Sequence, residues 1–181
     1  SDLLHKNVAK QINTVVSKDS KPEEPRVLTI EETDLFLEAA SHYRYFNAFS
    51  LALETGMRIG EIIGLKWSDI DFKKRTLKVE RSMEYRYKVG EWRVGEPKSK
   101  SGFRTIPLTA EAIRILKEQK RKNSNIDIIS MEWADTVFLC RKGTPVKNSN
   151  YDSNLFKICD KAGIDRFSMH VLRHTFATRC I

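Results

Sequence analysis

Three separated clusters in this chain hold side chains suited to gripping a phosphate. The first is Arg58-Ile59-Gly60-Glu61, where guanidinium and carboxylate stand three positions apart and can meet on one helix face. Braced in that way, and backed by apolar Ile59, Ile62, Ile63 and Leu65, Arg58 can present two parallel hydrogen bonds to a phosphate. The second is Pro97-Lys98-Ser99-Lys100-Ser101-Gly102, a basic turn ahead of a strand. The third is His170-Val171-Leu172-Arg173, whose imidazole and guanidinium share a face near the anion-favouring start of a helix. Each cluster also has an ordinary reading. An Arg-x-x-Glu pair is commonly a surface salt bridge, and charged turn residues are commonly just solvated. His170 and His174 are spaced i, i+4, yet Val171 stands where a zinc protease motif has its Glu, and no third ligand is evident. No Gly-rich phosphate loop, Ser-His-Asp order or internal repeat accompanies them.

The elements that must position these groups follow from patterning. Residues 1–20 carry a weak helical pattern through Leu3, Leu4, Val8, Ile12, Val15 and Val16, and Lys18–Arg26, with its two prolines, reads as an extended linker. That first helix is expected to be the tail of a preceding domain, or else to dock on the main one. Thr29-Ile30-Glu31-Glu32 is a capping box opening a helix with Leu35, Phe36, Ala39 and Ala40 inward. A second helix is predicted from about Tyr45 to Glu54, broken by Thr55-Gly56, and a third from Arg58 to near Ile70. Alternation over Thr76–Glu80 predicts a strand that pairs with Glu91–Glu96 across a Gly90 turn. A third strand, Phe103–Leu108, would place Lys98 and Lys100 at a hairpin tip. Thr109 caps a further helix with a basic end, Lys117–Lys122, followed by a loop over Asn123–Ile129. Val137–Leu139 reads as a short buried strand, and Asn154–Ala162 as a helix closed by Gly163. The last helix, with Ser168 as its N-cap, would bury Leu172 and Phe176. The fold class expected is mixed, mainly α with a small three-stranded antiparallel β-sheet.

At 181 residues the chain can bury one substantial core. Its 32 Lys and Arg against 24 Asp and Glu give a net charge of +8, which points to a polyanionic partner. No apolar run is long enough to span a membrane, and no signal-peptide pattern opens the chain. Cys140, Cys159 and Cys180 include no C-x-x-C, which suits a reducing cytoplasm better than a disulfide framework or a Cys-rich zinc site.

In this order, with a small sheet between helical blocks, the clusters resemble the tyrosine recombinases, the phage-integrase family that includes transposon integrases. The phrases TGMRIGEIIGLKWSDID, PKSKSGFRTIPL and MHVLRHTFATR carry the likeness, which covers Val27 to Ile181. The resemblance implies the catalytic-domain fold of that family and DNA cut and rejoined through a 3′-phosphotyrosine. It further implies a double-stranded DNA partner, a full-length tetramer on paired sites, bacterial or phage-encoded cytoplasmic origin, and no metal or nucleotide cofactor. By motif it places Arg58, Arg173 and His170 around the scissile phosphate, with Glu61 orienting Arg58. The hairpin lysine would be Lys98, with Lys100 as the alternative. The residue types suit this chemistry: fixed guanidiniums neutralise non-bridging oxygens, and a lysine protonates the departing 5′-hydroxyl.

The chain departs from the family pattern in one respect. The family's nucleophilic tyrosine follows the H-x-x-R helix, whereas Tyr43, Tyr45, Tyr85, Tyr87 and Tyr151 all precede His170. The expectation is therefore a fragment cut inside the catalytic domain. Residues 1–26 would be the tail of a preceding domain plus linker, and residues 27–181 a catalytic domain lacking its nucleophile segment. Such a piece would be unable to cleave DNA and monomeric in solution. Two other readings stay open: a type IB topoisomerase-like enzyme, and a non-catalytic DNA-binding or regulatory module of the same descent.

Overall fold

In the computed structural model, which describes residues 25–97 and 102–179, the first helix starts at its capping box. Thr29 Oγ1 accepts from the Glu32 amide, and the Glu32 carboxylate accepts in return from the Thr29 amide, opening α1 (Ile30–Ala40). The helical pattern over residues 1–20 lies outside the described residues.

Helix α2 (Phe46–Thr55) is the central rod, with Ala48, Phe49, Leu51 and Ala52 fully buried. α4 (Ala110–Asn123) and α6 (Met169–Arg179) pack on it, while α5 (Asn148–Ala162) packs on α1. Aromatic edges lock the layers, Phe49 lying 5.9 Å from Phe36 of α1 and 6.0 Å from Tyr151 of α5. Gly56 closes α2 at φ 61°, and a Cβ there would collide with the Phe176 ring of α6. Only glycine permits both the turn and that close approach.

The third helix is much shorter than the sequence suggests. α3 (Ile59–Ile63) stops at Gly64, because the next backbone groups turn to another segment: the Val137 amide donates to Leu65 O at 3.0 Å, and the Trp67 amide to Asp135 O at 2.8 Å. A 3-10 turn over Trp67–Asp69 follows, held by the forked ion pair from Arg81 to Asp69.

The sheet expectation holds in number but not in membership. β1 (Ile70–Asp71), β2 (Thr76–Val79) and β5 (Arg104–Pro107) form an antiparallel sheet in the order β1-β2-β5, with Leu77 opposite both Ile70 and Ile106. β3 (Ser82–Arg86) and β4 (Glu91–Gly95) make a separate two-stranded sheet across the Gly90 turn. Pairing β4 with its immediate predecessor closes a shorter loop than reaching back past it to β2. Consequently the Pro97–Gly102 stretch links two sheets instead of joining paired strands, which corrects the expected hairpin. Lys98 and Lys100 themselves lie outside the described residues.

Four smaller differences share one cause, tertiary burial overriding local pattern. α5 begins at Asn148, not Asn154, because Tyr151 is drawn wholly into the core beneath the polar run. Val137–Leu139 is buried as expected but forms only isolated bridges, Lys66 to Thr136 and Leu139 to Pro145, and no strand. Asn123 is no loop residue: it ends α4 buried, donating to Val137 O at 2.9 Å. On α6 the buried face is Met169, Val171, Leu172 and Thr175, with Phe176 only half-buried. Among the described residues no helix is long and apolar enough to cross a membrane.

Candidate functional site

Glu61 is the centre of the site. It is 2% exposed on α3, and a bare buried carboxylate would be costly, yet two guanidiniums and an amide converge on it. Arg58 donates its backbone amide to one Glu61 oxygen at 2.9 Å and Nη1 to the other at 3.1 Å. Arg104, at the start of β5, grips the same carboxylate with both terminal nitrogens, at 3.1 and 2.8 Å. Burial pushes the Glu61 carboxyl up, but hydrogen bonds from Arg104 and from the Arg58 amide outweigh it and hold the group below its ordinary range.

Arg173 joins from α6. Its guanidinium donates to the carbonyl of Gly56, the residue that ends α2 just before Arg58. Burial, then repulsion from Arg58 and Arg104, depresses its pKa, with Glu61 opposing the shift. These three arginines and one carboxylate leave the cluster with a surplus of two positive charges (3 − 1), aimed at a partly exposed surface. Such a surplus attracts anions. His170 stands exposed one turn ahead of Arg173 on the same helix. The base of the lysine stretch is fixed here too, because Arg104 Nη1 also donates to Gly102 O at 3.1 Å and Gly102 lies close against Pro97.

The structure thus brings Arg58, Glu61 and Arg173 together: the Arg58–Glu61 pair is what their spacing of three leads one to expect, and the approach of Arg173 is what the family resemblance implies. Arg104 is the residue that sequence reasoning missed. Its signal in the sequence is its place in the PKSKSGFRTIPL phrase, four residues after Lys100, which gives it no partner until β5 is seen to pair with β2.

The sequence profile of the phage integrase family matches residues 23–181. The chain belongs to that family. It is 34% identical over 166 residues to the "Tyrosine recombinase XerC-like" protein of Caldanaerobacter subterraneus subsp. tengcongensis, covering 82% of this chain and 41% of the relative. It is 30% identical over 179 residues to the "Transposase from transposon Tn916" of Enterococcus faecalis, covering 93% and 44%. This phage-integrase chain therefore spans less than half the length of those relatives. The Tn1549 transposon integrase, solved in complex with a circular intermediate DNA, matches 89% of this chain and 54% of its own with TM-score 0.76 and 26% identity. The XerA recombinase matches 91% and 52% with TM-score 0.68 and 25% identity. The fold is that of tyrosine recombinase catalytic-domain structures, mainly helical with small antiparallel sheets.

Proposed function

We propose that this chain binds and orients the scissile phosphate of DNA for a site-specific recombinase, and that Arg58 and Arg173 neutralise its non-bridging oxygens. The observation that carries this reading is the gathering of Arg58, Arg104 and Arg173 around one buried carboxylate, with positive charge left over. Glu61 and the Gly56 carbonyl use up part of each guanidinium's donors and so fix the direction of the rest. Preorganised donors of this kind meet charge as it develops on a phosphorane-like transition state without reorganising. His170 would hydrogen-bond the phosphate from the same helix. Lys98, or Lys100, would protonate the 5′-hydroxyl as it leaves, from a stretch whose base Arg104 pins beside the cluster.

The nucleophile required by a 3′-phosphotyrosine route is not among these residues at the family's place, since no tyrosine follows Arg173. Tyr151 is entirely buried in the core. On this reading residues 27–181 make up the catalytic domain, and residues 1–26 lie ahead of it as a separate segment. On the same reading the chain alone binds duplex DNA and forms no covalent adduct.

The test is a nicked duplex that traps a covalent intermediate, incubated with the chain and run on a denaturing gel, alongside anisotropy with intact duplex. Retained DNA binding without an adduct is the expected result. Arg58→Ala and Arg173→Ala should each weaken binding by roughly tenfold, the worth of charge-assisted hydrogen bonds. An adduct stable in denaturant would overturn the assignment of the nucleophile, and unchanged binding in both variants would overturn the assignment of the arginines.

A further inference from the structure

At the opposite end of α2 from Arg58 lies a half-open pocket of about 640 Å³. Arg44, Lys122 and Arg141 line it, with Asp127 the only carboxylate in the lining. A second hollow adjoins it, sharing Arg44, Tyr45 and Arg141 and adding Lys142 and Lys147.

Three features mark this as a built site and not a chance cluster of surface cations. First, among the described residues none of Arg44, Lys122 and Arg141 forms an ion pair, although exposed arginines nearby do: Arg121, beside Lys122, is held by Glu118 at 2.7 Å. Second, two lining side chains, Gln119 and Asn123, belong to a fixed polar relay. Asn47 donates to Gln119 at 3.1 Å, Gln119 to Asn123 at 2.8 Å, and Asn123 to Val137 O, with all three side chains buried. Third, α2 points its positive end here, and its N-cap, Tyr45, supplies no side-chain hydrogen bond. The opposing negative end of α4 is covered by Lys120, Arg121 and Lys122. Burial, and repulsion from Arg121 and Arg44, lower the Lys122 pKa against the pull of Glu118, as expected where cations gather without enough anion.

We infer that Arg44, Lys122 and Arg141 form a second phosphate-binding site, sized for one phosphorylated nucleotide unit and separate from the Arg58–Arg173 cluster. The phosphate has two possible sources: the backbone of the bound DNA, or a free nucleoside phosphate. Ten helical residues separate the two sites along α2, about 15 Å, which is some four to five base-pair steps of duplex. A duplex lying along α2 would span that distance. The DNA source rests on the function proposed above, whereas the free-nucleotide source does not.

Two binding measurements separate the sources. Binding of a fluorescein-labelled 30-base-pair duplex is followed by anisotropy over a salt series, and binding of ADP by calorimetry. Wild type is compared with the double variant Arg44→Gln/Arg141→Gln, and with Arg58→Gln as a change confined to the other site. Circular dichroism and thermal melts check that each variant is folded. If the backbone supplies the phosphate, the double variant loses about tenfold or more in DNA affinity and its log–log salt slope falls by about two, against about one for Arg58→Gln. If a free nucleotide supplies it, wild type binds ADP, Arg58→Gln still binds it, and the double variant does not. A folded double variant that matches wild type toward both probes overturns the site. Wild type that binds ADP but no duplex overturns the proposed DNA function and leaves the pocket standing.

Discussion

Glu61 shows at the scale of one residue why an exposed arginine can be held still. Two guanidiniums and an amide share its buried carboxylate, so a guanidinium that swings away gives up a charge-assisted hydrogen bond in a site with little water to replace it. Glu61→Gln is accordingly expected to cost about 3 kcal/mol at neutral pH and to weaken DNA binding through Arg58, measured by urea unfolding and anisotropy. The pH dependence has a definite sign. The folded carboxyl titrates below the ordinary glutamate value of about 4.3, so its stabilisation is complete above that pH and is lost as pH falls through the folded-state value. Wild-type stability should thus fall more steeply below about pH 4.3 than that of Glu61→Gln; parallel curves would refute the coupling. Tyr151 offers the opposite case. Its hydroxyl is fully buried and finds no hydrogen-bond partner among the described residues, and burial raises its pKa well above the usual phenol value. Tyr151→Phe should therefore stabilise the chain, by roughly 1 kcal/mol in a thermal melt, because the ring contacts survive and the unpaired oxygen goes.

Among the elements, the junction of α2, α3 and α6 joins packing to chemistry. Gly56 ends α2, lies under the Phe176 ring and gives its carbonyl to Arg173, so a single turn sets both the α6 contact and the aim of the second arginine. Gly56→Ala should lower stability by about 1–3 kcal/mol, from left-handed strain and the clash with Phe176. It should also reduce DNA affinity beyond what the melt explains. Thr29→Ala, in contrast, removes a cap far along the chain from the arginines: about 1 kcal/mol lost and affinity kept, as melts and anisotropy would read. Helix starts of this kind are written locally, and so is the left-handed stop at Gly163, φ 69°. The end of α3 is not, since it depends on Leu65 and Trp67 finding partners near residues 135–137, some seventy positions away.

For the molecule as a whole, part of the excess of Lys and Arg gathers at the two ends of α2, as Arg44, Lys122 and Arg141 at one and Arg58, Arg104 and Arg173 at the other. On the proposed reading, phosphate contacts at each would release counterions, so log affinity for duplex DNA should fall linearly with log salt, at a slope of several units. An affinity indifferent to salt would count against both sites at once. Without DNA, the chain is expected to be monomeric by light scattering; a stable tetramer would refute that.

The amino-acid sequence alone determined the starts of α1 and α4 at their Thr29 and Thr109 caps, the glycine stops at Gly56 and Gly163 and the pairing of Arg58 with Glu61, because each rests on residues within a turn of one another. It also carried the family, through three motifs whose wording survives without coordinates. The tertiary structure decided what depends on distant segments meeting. It assigned β5 to β2 and β4 to β3, shortened α3, and drew Arg104 onto Glu61 across 43 positions of chain. It likewise gathered Arg44, Lys122 and Arg141 around one pocket. Those arrangements follow from burying one shared core, a property of the whole chain that no short window of residues contains.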